Sequence, residues 1–155
     1  WVHGAGQITD NYWIGERPWY EYWDSLAMLA HRVYKQARIA DPLTELDVAE
    51  LYNAFTINEI IQCEALGFCD KGKGPELIRK GVTAMGGKLP ICPSGGVLCS
   101  NPIGASGLIR VGEAALQVMG KADQRQVPGV KTALAHVWGA ALGFHVLMIL
   151  GKDAP

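Results

Sequence analysis

The sequence predicts an α/β fold, with a mixed, mostly parallel sheet, packed helices and a final antiparallel hairpin. Three observations carry this. Short apolar runs alternate with amphipathic stretches of helical period in the order β-α-β-α-β-β, the pattern of a layered sheet with parallel pairings. The last two runs are separated by a turn at Gly139–Gly143, which suits a hairpin. At 155 residues the chain is one domain or part of a larger one, long enough to bury about two-thirds of its unfolded surface.

The elements follow in order. Val2 to Ile8 reads as a strand, and Thr9 to Tyr22 as a loop rich in aromatics: Tyr12, Trp13, Trp19, Tyr20 and Tyr22, with Trp23 just beyond. Asp24-Ser25 opens a helix to about Ala37 that sets Leu26, Leu29, Ala30 and Val33 on one face, and Asp41-Pro42 breaks the chain after it. Asp47 to Tyr52 is a short strand. Thr56 to Leu66 is a helix with Ile57, Ile60, Ile61 and Ala65 inward, stopped by Gly67. Residues 70–96 form a long connection, of the kind that covers a site. A third helix is expected over 103–119, then strands at Val130 to Val137 and Ala141 to Leu150.

Net charge is −1 and charged residues are 19%, which argues against disorder and against nucleic-acid binding. No apolar run approaches the ~20 residues of a membrane span, and no signal-peptide pattern is present. No membrane association is expected, and a cytoplasmic location is. The chain starts at Trp1 rather than Met and is expected to be processed, truncated or a piece of something longer. Cys63, Cys69, Cys92 and Cys99 lack a CxxC pair, so no metal site is expected and they read as reduced structural thiols.

The most informative stretch is Pro93-Ser-Gly-Gly-Val-Leu-Cys-Ser-Asn-Pro-Ile-Gly-Ala-Ser-Gly107. A glycine-rich turn leads into Asn101-Pro102 and an amphipathic run, which reads as N-cap and first helical residue. A helix N-terminus of this kind can hold an oxyanion or a thioester oxygen.

Three motifs resemble the thiolase superfamily. Asp47-Val-Ala-Glu-Leu-Tyr-Asn-Ala-Phe-Thr-Ile-Asn-Glu59 is similar to the segment ending in Asn-Glu-Ala-Phe, or His-Asp-Cys-Phe in sterol-carrier-type thiolases. Pro93 to Gly107 resembles their Ser-Gly-Gly…Gly-His-Pro-x-Gly-Ala-Thr-Gly loop, and Ala133-Leu-Ala-His-Val-Trp-Gly139 the loop before the last strand. Gln126-Val-Pro-Gly129 fits the sterol-carrier-type subgroup. The resemblance covers essentially the whole chain, and only the C-terminal half of a thiolase. It implies a nucleophilic cysteine in an N-terminal half, and none of the four cysteines here takes that role. The family's Gly-His-Pro is Ser100-Asn101-Pro102 here, Tyr52 replaces the Asn-Glu-Ala-Phe asparagine, and the Cys-x-Gly cysteine falls at or next to His136-Val137.

The resemblance implies Claisen or retro-Claisen chemistry on a 3-ketoacyl-CoA, with coenzyme A as substrate and no permanently bound cofactor. Cleavage needs a stabilised oxyanion and a group that moves a proton. The candidate catalytic residues are His136 as general acid or base, Asn101 as donor to the thioester oxygen, and Tyr52. A tyrosine there resembles the thiolase-like steroid side-chain aldolases, which gives retro-aldol cleavage of a 3-hydroxyacyl-CoA as the alternative. A degenerate scaffold subunit is the third reading. Gly95, Gly96, Gly104 and Asn53 are the candidate substrate or CoA contacts. Trp13, Trp19 and Trp23 line an aromatic acyl pocket or an interface, or simply pack; Lys71, Lys73, Arg79 and Lys80 form a solvated face or meet CoA phosphates. Implied partners are the N-terminal thiolase half, further copies in a homo-oligomer, and an OB-fold and zinc-ribbon acyl-CoA-binding protein.

Overall fold

The computed structural model describes residues 1–11, 13–17, 21–140 and 142–155. Tyr12, Trp19 and Tyr20 of the aromatic loop, and the expected strand start at Ala141, lie outside the described residues. The elements are β1 (Val2–Thr9), α1 (Asp24–Ala37), α2 (Pro42–Glu45), β2 (Val48–Leu51), α3 (Asn58–Ala65), α4 (Gly74–Arg79), α5 (Gly96–Cys99), α6 (Ser106–Met119), β3 (Thr132–Gly139) and β4 (Phe144–Gly151). Asp41-Pro42 does more than break the chain: Asp41 accepts from the Leu43 N–H and caps α2, with Pro42 in the first turn. The long connection at 70–96 carries α4 within it.

The four strands form one mixed sheet in the order β1-β4-β3-β2. β2 and β3 pair parallel, and β3–β4 is the expected antiparallel hairpin. The expectation of mostly parallel pairing needs correction. β1, β2 and β3 do run in one direction, but β4 inserts between β1 and β3 and makes both of its own pairings antiparallel. The hairpin turn places β4 beside β3, so β1 has only the outer edge of β4 left to pair with.

Strand period two divides the side chains between the faces. Ala49, Leu51, Leu134, Leu147 and Ile149 join the larger core under α1 and α3, with Leu26, Leu29, Val33 and Phe68. Val48, Ala133, Ala135 and Leu150 face α6 and pack on Ala114 and Val118. α1 lies close against β1 because Gly4 and Gly6 face it. A Cβ at Gly4 would stand 2.7 Å from the Val33 carbonyl oxygen, and one at Gly6 2.9 Å from Leu29.

Candidate active site

Because β2 and β3 are parallel, their C-terminal ends emerge on one edge, where open α/β sheets collect ligands. Tyr52 is the first residue beyond β2. Its N–H donates to the His136 carbonyl at 2.9 Å, and its own carbonyl accepts from Trp138 Nε1 at 2.8 Å and Gln62 Nε2 at 3.0 Å. The ring stands edge-on to Trp138 with centroids 5.3 Å apart. So held, the Tyr52 hydroxyl donates to Asn101 Oδ1 at 3.2 Å, and Ser106 Oγ donates to the same oxygen at 2.7 Å. With Oδ1 taken by these two hydroxyls, the Nδ2 hydrogens of the exposed Asn101 are left for an incoming acceptor.

Asn101 is not the N-cap expected of it. α6 starts at Ser106, after a 3-10 turn over Ile103–Ala105, and has no side-chain cap. The reason is local: Ser106 turns its hydroxyl onto Asn101, so the asparagine oxygen bonds side chains rather than helix N–H groups.

The structure places the other candidates around this pair. Gly95 and Gly96 have left-handed φ of 87° and 58°. A Cβ on Gly95 would collide with Cys99 Sγ, and one on Gly96 would sit 3.0 Å from Asn53 Oδ1 and 3.2 Å from Cys92. These two glycines are demanded by the chain's own packing. Gly104 has no neighbouring atom within 4 Å of where its Cβ would stand, and lies on the open surface. Asn53 donates to Glu59 at 3.3 Å and receives the Cys92 thiol at 3.8 Å.

His136 is the candidate that the structure sets apart. It is 1% exposed, on the face of β3 turned toward α3. Its ring stacks on His145, with centroids 5.4 Å apart. Nδ1 lies 3.1 Å from Gln62 Nε2, and Nε2 3.2 Å from His145 Nδ1. Burial first, and then the neighbouring histidine, hold its pKa well below the ordinary value of 6.5. The enclosed, neutral imidazole braces Gln62, which in turn holds the Tyr52 carbonyl.

Thiol chemistry is suppressed. Burial pushes the Cys92 thiol up to about 12 and the Cys69 thiol up to about 11, and drives Cys63 higher still. Such thiols stay protonated and unreactive near neutrality. Cys99 is exposed. No cluster of three or more metal-ligating side chains exists among the described residues. The expected cationic face is solvated: Lys73 and Lys80 pair with Glu76, and the Lys71 ammonium sits 4.7 Å over the Tyr22 ring.

Sequence reasoning missed the network behind the glycine loop. Glu50, fully buried on the α6 face of β2, accepts from Arg110 at 2.8 Å and from Ser94 through both Oγ (2.7 Å) and N–H (3.1 Å). Burial pushes the Glu50 carboxyl up, against the pull of Ser94 and Arg110. A lone acid within the apolar run Val48-Ala49-Glu50-Leu51 was the available signal. Gln62 and His145 gave none, since a buried amide and a second imidazole become meaningful only once packed together.

The thiolase C-terminal domain-like family matches residues 6–152. The chain is 42% identical over 111 residues to sterol carrier protein 2 of Oryctolagus cuniculus, covering 71% of this chain and 20% of that protein. It is 37% identical over 112 residues to the benzoylsuccinyl-CoA thiolase subunit BbsB of Thauera aromatica, covering 71% and 29%. The solved structure of an Ltp2-ChsH2(DUF35) aldolase superposes with a TM-score of 0.84 at 24% identity, over 99% of this chain and 40% of that one. The chain thus spans less than a third of the length of these two curated relatives. With the matched residues running from β1 through β4, the chain belongs to the thiolase C-terminal domain-like family.

Proposed function

We propose that this domain forms one wall of an active site for carbon–carbon bond chemistry on a coenzyme A thioester, with Tyr52 and Asn101 as its working pair. The observation that carries the reading is the Tyr52 hydroxyl bonded to Asn101 Oδ1 at the open edge of the parallel strands. The outward Nδ2 hydrogens of Asn101 suit a thioester oxygen that gains charge as an enolate forms. The Tyr52 Oη, 3.2 Å from the same side chain, is placed to move a proton at the reacting carbon or oxygen.

Two reactions share this arrangement. Claisen or retro-Claisen acyl transfer on a 3-ketoacyl-CoA is supported by the thiolase relative, and needs a cysteine thiolate from an N-terminal half. Retro-aldol cleavage of a 3-hydroxyacyl-CoA is favoured by the geometry, because the side chain at the edge with a proton to move is the Tyr52 hydroxyl while His136 is enclosed. In that cleavage the C2–C3 bond breaks, the 3-hydroxyl loses its proton as a carbonyl forms, and the thioester enolate takes a proton at C2. One relative is a thiolase subunit and the fold neighbour is a two-component aldolase, which supports assembly with other chains. We extend this to an N-terminal thiolase half, homo-oligomerisation and an OB-fold and zinc-ribbon acyl-CoA-binding partner.

The test uses full-length protein supplied with a 3-hydroxyacyl-CoA and, separately, a 3-ketoacyl-CoA. Tyr52→Phe is expected to lower kcat about 10²-fold or more while leaving thioester binding nearly unchanged. Unchanged turnover in that variant overturns the role of Tyr52. Acyl mass appearing on a cysteine with the 3-ketoacyl substrate selects the Claisen reaction; aldehyde or ketone release without it selects the aldol one.

A further inference from the structure

We propose that the 260 Å³ pocket beside Trp23 is the subsite for the far end of the acyl group, and that it takes an apolar body bearing an uncharged oxygen acceptor. This rests on the reading of the domain as part of a CoA thioester site.

Position is the first argument. The pocket lies between the end of β1 (Ile8, Asp10), the start of α1 (Trp23, Ser25, Met28) and the start of β4 (Leu142, His145). It therefore opens on the same sheet edge as Tyr52. Trp138 joins the two places: its ring stands edge-on to Tyr52 at 5.3 Å and to Trp23 at 5.9 Å. An acyl chain leaving the Tyr52–Asn101 pair follows this aromatic row into the pocket. At 260 Å³ the pocket is smaller than the ~300–1,000 Å³ that encloses a whole ligand, so it receives one end of a larger molecule.

Polar chemistry is the second argument. Trp23 is 5% exposed, and among the described residues its indole N–H finds no hydrogen-bond partner. An indole N–H can only donate, and a buried donor left unpaired is rare and costly. Ser25, 7% exposed, turns its hydroxyl toward the Asp10 carboxylate and lowers its pKa, so it serves Asp10 rather than a ligand. His145 adds a second donor by a chain of tautomers. Gln62 Nε2 donates to the Tyr52 carbonyl and to His136 Nδ1, so His136 carries its hydrogen on Nε2 and gives it to His145 Nδ1. The hydrogen of His145 is then on Nε2, on a ring that borders the pocket.

A donor-rich, apolar-walled pocket asks for an oxygen acceptor. Among the described residues, two carboxylates, Asp10 and Asp24, and one cation, Arg17, line the pocket. The Asp10 carboxyl is held below its ordinary range by Ser25, the Asn11 N–H and Arg17 against the burial that raises it, so it is ionised, and the surplus of negative charge disfavours a ligand carboxylate. A ketone, ether or hydroxyl oxygen fits; a carboxylate does not.

The experiment uses the full-length protein and two unreactive thioesters, 3-(4-methoxyphenyl)propanoyl-CoA and 3-phenylpropanoyl-CoA. Binding is read by titration and by the indole ¹⁵N–¹H resonance of Trp23, assigned through its loss in Trp23→Phe. The expected result is that the methoxy thioester moves the Trp23 resonance and binds about tenfold more tightly than the phenyl one, with Trp23→Phe abolishing the preference. Equal binding of both thioesters with an unmoved Trp23 resonance overturns the subsite and leaves the thioester reading standing. Failure of both thioesters to bind overturns the two together.

Discussion

His136 shows how far the position of a residue in a motif can differ from its situation in space. It stands in the segment Ala133 to Gly139 that resembles a loop, yet that segment is strand throughout, and strand alternation turns the imidazole inward beside Leu134. There it bonds Gln62 and His145 and loses its proton to burial. His145 follows the same logic, with burial pushing it down to about 4. His145 is therefore not expected to titrate between pH 7 and 5, and His136 is expected to titrate well below its ordinary value. Histidine ring NMR over that range checks this, and a His136 midpoint near 6.5 counts against the buried dyad. Tyr52 is the opposite case: the sequence placed it at a strand end, and it stands there with its hydroxyl at the open edge.

At the scale of elements, the buried ion pair links three pieces: β2 through Glu50, the glycine loop through Ser94, and α6 through Arg110. Both charged side chains are almost fully out of water, at 3% exposure for Arg110 and 0% for Glu50, and Arg110 Nε is buried without a partner among the described residues. Removing one member leaves an uncompensated buried charge. Arg110→Met is expected to cost about 3–5 kcal/mol, and the pair Glu50→Leu with Arg110→Met to recover most of it. Chemical denaturation of the three proteins measures this, and a double variant no better than the single one rejects the pair as the cause. α3 shows why element faces are hard to read. Apolar spacing predicts Ile57, Ile60, Ile61 and Ala65 inward, but Ile57 is 52% exposed while Asn58, Gln62 and Glu64 are buried. The polar residues go inward because surrounding backbone satisfies them: Asn58 accepts from the Phe55 N–H, and Glu64 from the Gly74 N–H. By contrast α1 runs over the expected residues with all four expected apolar side chains buried, because its partners are strands and aliphatic side chains.

For the whole molecule, the two depressed histidines set an acid limit. A base whose folded pKa lies below its unfolded value takes up its proton first in the unfolded chain. Stability is therefore full above about pH 6.5 and falls as the pH drops below it, down toward the folded value, about 4 for His145. The slope approaches about 1.4 kcal/mol per pH unit for each histidine. Thermal midpoints measured from pH 7 to 4.5 are expected to fall, and His145→Gln to roughly halve the slope; an unchanged slope in that variant assigns the acid sensitivity elsewhere. No helix among the described residues is long and apolar enough to cross a membrane. By itself the sequence determined the α/β class, the closing hairpin, α1, and the strand end at which Tyr52 lies, because local period and turn residues act over a few neighbouring positions. Tertiary structure alone decided the β1-β4-β3-β2 order, the enclosure of His136, the Glu50–Arg110–Ser94 network and the donor-lined pocket at Trp23. Each of these depends on which distant segments share a face, and on whether a buried polar atom finds a partner there, and neither is written in the spacing of residues along the chain.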